Sequence, residues 1–516
     1  MSPIWWCFWD PMMHVCVLLT ITWWMPDQFK NHETRDTDLD LIIKNGTVVT
    51  ASDVVCCDVG IRDGRIAQLG GDFGSAVETI DATGLYVMPG GIDSHVHISQ
   101  PSGDGIVMAD DFESGTRFAL FGGNTMIMPF CLQESGQTLR QAIDAYRLKA
   151  QGNCYTDVSF HLIISEPSDQ VLGQELPAAV EDGYTSFKIF MTYEALRLND
   201  AEILATMDTA RRSGALVMVH CENEDAIQFL IGQHEEQGKL QPASHASTRP
   251  IAAEREATHR AVSLAEIVDV PVVIVHISNG EAIAEVKRAR ERGRKVIAET
   301  CPQYLMLTAK DLDGMDWEGA KFVCSPPPRT EAEQEQCWRG IETGAFDLFS
   351  SDHCPFRYED DRGKLNPKGR THFKHVPNGI PGVELRAPIL FSEGFMKGRI
   401  DSCRFVAMTS TNHAKTYGLY PQKGTIAVGS DADITLWDPS ITRTVRHSEM
   451  HDAADYSPYE GLDLTGWPVT VILGGRVMMR DGELLGNRGD GQYRSRDRSP
   501  LASTADNTMR ASGAPA

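Results

Sequence analysis

Eight short apolar runs, separated by longer stretches of helix-forming composition, constrain this chain more than any other feature. The runs are Tyr86–Met88 leading to His97, Asn124–Phe130, Val158–Ile164, Tyr184–Phe190, Ala215–His220, Pro271–His276, Lys295–Thr300 and Phe346–Asp352. Between them lie segments such as Ala201–Ser213 and Gly280–Gly293, rich in strong helix formers. Strands that alternate with helices build parallel sheets, and eight such units over roughly 250–320 residues fit a (β/α)8 barrel. In that architecture reactive side chains gather where the strands end.

Both flanks of this region carry strand and turn signals instead. Leu39 to Val49 is rich in Leu, Ile and Val with Asn45-Gly46 inside it, and Asp63-Gly64 and Asp481-Gly482 each separate short apolar runs, the pattern of β-hairpins. Asp431–Trp437 and Val469–Val477 read as further strands. The expected fold is therefore α/β, a (β/α)8 TIM barrel with a small β-sandwich domain built from both chain ends. The expected boundaries are 37–88 with 411–485 for the sandwich and 89–410 for the barrel. Residues 486–516 form a C-terminal tail, mobile from Ser495, because Gly, Arg, Asp, Ser and Ala there show no apolar periodicity.

Residues 1–36 differ in composition from all that follows. They hold Trp5, Trp6, Trp9, Trp23 and Trp24, five of the nine tryptophans, and are expected as an extension outside the fold. Val15 to Trp24 is apolar apart from Thr20 and Thr22, but Asp10 precedes it and the first lysine is Lys30. A signal peptide needs a basic start, and a membrane span needs about 20 apolar residues. No membrane association is expected.

The formal charge of −23, from 71 acidic and 48 basic side chains, repels phosphate backbones and argues against a nucleic-acid partner. Twelve cysteines in 516 residues, with no C-x-x-C pair, indicate neither a disulfide scaffold nor a zinc ribbon. Reduced thiols in the cytoplasm are the expectation. No G-x-S-x-G elbow and no HEXXH motif occurs, which disfavours a serine hydrolase and a protease of the zincin type.

The strand ends carry the chemistry. Run one ends in His95-Val96-His97, and period-two alternation puts both imidazoles on one side, as two ligands of one metal require. Lys188 interrupts the apolar run Ser186–Phe190, where a buried ammonium is costly unless paired or altered. Runs five and six end in His220 and His276, and run eight in Asp352. Singly, each has a plain alternative: a hydrogen-bonded core histidine, a snorkelling lysine, an N-capping aspartate. Together they fall at or near the ends of five of eight strands, and four histidines with an acid form a nitrogen and oxygen donor set suited to Zn²⁺ or a similar ion.

Longer motifs carry a resemblance. Pro89–His97, Ser186–Tyr193, Glu299–Leu305, Cys324–Pro327, Ser351–Pro355, Pro377–Gly382 and Gly424–Asp433 resemble the cyclic amidohydrolases, specifically the dihydropyrimidinase/D-hydantoinase branch, from about Asp40 to Arg494. The resemblance implies two divalent metal ions, with His95, His97 and Asp352 on one and His220 and His276 on the other. Lys188, carboxylated on its amine, would bridge both. It implies Asp352 as general base and proton donor, the Tyr193 hydroxyl at the oxyanion, and backbone groups of Ser325 and Asn378 at the substrate's imide-like edge. It implies a homotetramer and a small-molecule cyclic amide substrate, with dihydropyrimidine or 5-monosubstituted hydantoin rings opened to N-carbamoyl amino acids.

Allantoinase and dihydroorotase activities are the alternatives, and a non-catalytic scaffold the remaining one. Relatives that lost catalysis lost metal ligands, and all six are present here. Dihydroorotases place an arginine two residues after the second histidine of H-x-H, where this chain has Ser99. Two departures stand out: Ile98–Asp104 replaces an apolar loop bordering the substrate, and His413 replaces a usual proline away from the expected site.

Overall fold

The computed structural model describes residues 39–103 and 105–502; the extension expected at 1–36 lies outside the described residues. Eight parallel strand positions form a nearly closed barrel. They are Gly91–Val96, Asn124–Leu132, the interrupted pair Asp157–Val158 and His161–Ile163, Ser186–Phe190, Leu216–His220, Val272–Ile274, Val296–Thr300 and Leu348–Phe349. The last meets the first through a parallel bridge between Val96 and His353, with the His97 N–H donating to the His353 carbonyl at 2.6 Å.

Local chemistry accounts for the intervening helices. In Asp200–Ser213, Asn199 accepts from the backbone of Ala201 and Glu202, while Glu202 returns a bond to the Asn199 N–H. This reciprocal cap satisfies donors that the first turn leaves free. Asp200 and Glu202 start the helix, Arg211 and Arg212 finish it, and Gly214 at φ 73° ends it, as the helix dipole and the left-handed cap favour. Ile203, Met207 and Ala210 are buried, one face at helical spacing turned toward the barrel.

Two further sheets account for the flanks. One orders Arg65–Leu69, Val59–Arg62, Leu39–Lys44 and Ala76–Asp81; the other runs from Glu483–Leu484 through Asp463–Leu473, Ile434–Thr444 and Tyr86–Pro89 to Val54–Cys56. Leu41, Ile43, Val59 and Ile61 from the first pack with Val48, Val87, Ile434 and Ile472 from the second in one buried cluster.

Three expectations need correction. Tyr86–Pro89 is an outer-sheet strand paired with Ile434–Thr444, not the start of the first barrel strand. The chain enters the barrel after Gly90, where a Cβ would lie 2.2 Å from the Thr125 hydroxyl, so only glycine permits that approach. Asp63-Gly64 and Asp481-Gly482 do close antiparallel hairpins, but Asn45-Gly46 joins strands of different sheets. Its left-handed Asn45, φ 63°, turns the chain from one layer to the other.

The third correction concerns the C-terminal segment, which packs against the barrel as far as Ala502. Arg496 is buried and donates to the Ser159 hydroxyl at 2.9 Å, the Ser186 hydroxyl at 2.8 Å and the Phe160 carbonyl. Arg494 pairs with Asp157 at 2.6 Å. Polar anchoring of this sort leaves no apolar periodicity in the sequence. Among the described residues, no helix is long and apolar enough to cross a membrane.

Candidate metal centre

All six strand-end residues converge at one end of the barrel and line a single cavity of about 890 Å³. Ligand-type atoms of His95, His276 and Asp352 lie within 4.8 Å of one another. Nε2 of His95 is 3.2 Å and Nε2 of His97 is 3.5 Å from the same Asp352 oxygen. The His220 ring stands 4.4 Å from that of His276, centre to centre. Lys188 is fully buried between the rings of Phe130 and Phe190, each 5.1 Å from its Nζ.

Acceptors around the imidazoles settle which nitrogen carries the proton. His95 Nδ1 donates to Glu299 at 2.7 Å, His97 Nδ1 to the side-chain oxygen of Gln100 at 2.8 Å, and His220 Nε2 to Glu222 at 2.8 Å. A carboxylate or amide oxygen only accepts, so in each ring the opposite nitrogen keeps its lone pair. Burial, first of all, pushes His95 and His276 well below the ordinary histidine range and lowers His220. Neutral imidazole is the form that binds a metal.

A direct test of fit comes from atoms left over. His95 Nε2, His276 Nδ1 and Lys188 Nζ are buried without a hydrogen-bond partner. Buried polar atoms are rarely orphaned, and three in one cluster of nitrogen and oxygen donors match the demands of divalent cations. Burial depresses Lys188 to about 8, against the pull of Asp352 and Glu299. Asp352, which burial would raise, is held below the usual carboxylate range by His95, His97 and Lys188.

Backbone strain accompanies the cluster. His276, Asp352 and Tyr193 adopt φ of 39°, 51° and 66°, a region L-residues seldom occupy and that surroundings must enforce. The Tyr193 N–H donates to Glu224 at 2.9 Å, and the Asn378 amide donates to the Tyr193 hydroxyl at 3.3 Å. Burial pushes the Tyr193 phenol up to about 12, so the hydroxyl keeps its proton for donation. Ser325 and Asn378 also line the cavity.

Several supporting residues escaped the sequence reading. Glu222 joins His220 to the buried guanidinium of Arg249 at 2.9 Å. Glu299 accepts from His95, from the His276 N–H at 3.1 Å and from the Ser350 hydroxyl at 2.7 Å. Glu222 stands two residues past His220, the period-two spacing that could have marked it; Arg249 gave no such signal. His413 is buried, takes a bond from Ser94 at 2.8 Å and donates to the Met408 carbonyl, so it braces the strand that carries His95. Gln100 faces the cavity, whereas the Ser99 N–H is tied to the Asp110 carbonyl at 3.1 Å.

Known proteins resemble this chain over most of its length. Residues 86–478 match the model of the Amidohydrolase family, and residues 26–86 that of the N-terminal domain of the urease alpha-subunit. The chain is 46% identical over 459 residues to a D-hydantoinase of Rhizobium radiobacter, covering 89% of this chain and 99% of that one. It is 46% identical over 455 residues to a D-hydantoinase of Geobacillus stearothermophilus, 88% of this chain and 95% of the other. The crystal structure of the dihydropyrimidinase from Brevibacillus agri NCHU1002 superimposes with a TM-score of 0.86 at 43% identity, over 89% of this chain and 98% of that one.

Proposed function

The chain belongs to the amidohydrolase family, and from that premise we propose that it opens dihydropyrimidine or 5-monosubstituted hydantoin rings, giving N-carbamoyl amino acids. It is an enzyme, a hydrolase of cyclic amides. The observation that carries the substrate reading is the joining of the six-residue cluster and its three orphaned nitrogens to extensive identity with proteins of that activity.

We read His95, His97 and Asp352 as ligands of one divalent cation, His220 and His276 as ligands of a second, and Lys188 as their bridge. The low proton affinity of Lys188 supports the bridge: a neutral amine is the form that adds carbon dioxide, losing one proton to become a carbamate. When bound, two such cations, Zn²⁺ by the donor set, supply Lewis acidity that polarises a water and the scissile carbonyl.

The remaining steps belong to the protein. Asp352 takes the proton from the attacking water and returns it to the departing ring nitrogen. The Tyr193 hydroxyl, held by Asn378, donates toward the oxygen on which charge develops. Backbone groups of Ser325 and Asn378 receive the imide-like edge of the ring.

Free thiols at all ten cysteines among the described residues support a reducing compartment, the cytoplasm. The homotetramer rests on the family resemblance, and light scattering of the purified protein tests it.

A substrate panel on metal-replete enzyme tests the function: dihydrouracil, 5-substituted hydantoins, allantoin and dihydroorotate. The expected outcome is highest kcat/KM on the first two classes. Dihydroorotate should fall below them by about ten- to a hundredfold, the value of one charge-assisted contact of ~1.5–3 kcal/mol. Highest kcat/KM on allantoin or dihydroorotate would overturn the substrate reading.

A further inference from the structure

Lys364, in the loop that follows the eighth strand, is fully buried and has no part in the chemistry above. Its Nζ donates to two backbone carbonyls from separate segments, Val323 at 2.6 Å and Pro377 at 2.8 Å. The Gly379 N–H donates to the same Val323 carbonyl at 3.0 Å. One residue beyond Val323, the Cys324 carbonyl accepts from Nε2 of the buried His245 at 2.8 Å. The next residue is Ser325, and the residue after Pro377 is Asn378.

We propose that Lys364, assisted by His245, is a positioning residue that clamps the Val323–Ser325 and Pro377–Asn378 segments at the separation the substrate's imide-like edge requires. The inference rests on the reading of Ser325 and Asn378 as the groups that receive that edge. A methionine would fill the same volume as Lys364, so the polar head serves the two carbonyls. The ionisable groups that bear on it are the thiols of Cys324 and Cys354 rather than a carboxylate, and burial lowers its ammonium to about 7. An ammonium offers three N–H donors and an amine two, so both bonds persist in either state. With the donors gone, the Pro377 carbonyl loses its partner, the Val323 carbonyl keeps only the Gly379 N–H, and the segments drift. Displacement of binding groups by ~1 Å costs up to about a hundredfold in catalytic efficiency.

Lys364→Met in the metal-loaded enzyme, with His245→Leu as a second variant, tests the clamp through the division of effect between KM and kcat. KM is independent of how much of a preparation is folded, whereas apparent kcat is not. The expected result for Lys364→Met is a KM raised about tenfold or more, kcat within about threefold of the parent, and unchanged metal content. His245→Leu, which leaves the Cys324 carbonyl without that donor, should raise KM by less. A fall in apparent kcat with KM within about twofold of the parent in both variants would show a merely structural lysine and overturn the proposal. A rise in KM accompanied by loss of metal would overturn it as well. The two readings fail separately: a parent enzyme that opens no cyclic amide refutes the substrate edge, whereas an active parent with an unaltered Lys364→Met KM refutes the clamp alone.

Discussion

Replacement of Arg249 by methionine tests how far the candidate metal centre depends on a charge that never touches it. The Arg249 guanidinium bonds Glu222 at 2.9 Å, and both are buried, at 6% and 0% exposure. It also lies over the Tyr193 ring, 5.6 Å from its centre. Removing one partner of a buried ion pair costs about 3–5 kcal/mol, because the other charge stays uncompensated. For a folded body of roughly 460 residues the unfolding entropy is on the order of 1 kcal/mol/K, so the melting temperature should fall by about 3–5 °C. The stranded Glu222 would draw a proton onto His220, which would then compete with metal for that ring; metal affinity should drop about 10- to 100-fold. Differential scanning fluorimetry and competitive metal titration measure the two effects. The double variant Arg249→Met/Glu222→Gln removes both charges and should recover most of the lost melting temperature. An Arg249→Met protein melting within about 1 °C of the parent, or a double variant no more stable than the single, would refute the reasoning.

Three other outcomes follow from the same geometry. Lys188→Ala should lower metal content well below two per subunit by elemental analysis and collapse turnover, with partial rescue by a short carboxylic acid acting as an external bridge. Asp352→Asn should lose about 10²–10⁴-fold in kcat while much of the metal stays bound, since an amide cannot take the proton. Truncation after Leu485 removes the three buried bonds of Arg496 and the Arg494–Asp157 pair; at ~1 kcal/mol for each lost bond, the melting temperature should fall by about 4 °C or more by scanning calorimetry.

Those parts of the site that end an apolar run were legible in the sequence. His95, His97, Lys188, His220, His276 and Asp352 each belong to or terminate one, so counting runs also located the residues. Arg249 and Lys364 sit in loops, and their partners Glu222, Val323 and Pro377 are 27, 41 and 13 positions away; nothing in local composition joins them. The run of the first barrel strand starts too early because apolar Tyr86–Met88 leads within three residues into buried Gly91–Val96, and only the crowding of Gly90 against Thr125 separates the two sheets they enter. Asn45-Gly46 has the chemistry of a hairpin turn, yet its two strands find other partners, because register across sheets is decided by burial far from the turn.

The bond from Arg496 to the Ser186 hydroxyl joins the end of the chain to the strand that carries Lys188, and it bears on the timing of folding. A ribosome delivers the fourth strand some 300 residues before Arg496, and domains form as their parts emerge, at ~5–20 residues per second. For the interval between, on the order of 15–60 s at that rate, the Ser159 and Ser186 hydroxyls and the Phe160 carbonyl wait for their donor. The outer sheet waits too, since Tyr86–Pro89 pairs with Ile434–Thr444. The barrel is thus braced only once the segment around Arg496 has emerged, and a nascent chain stalled before residue 430 lacks both the outer strand and the arginine.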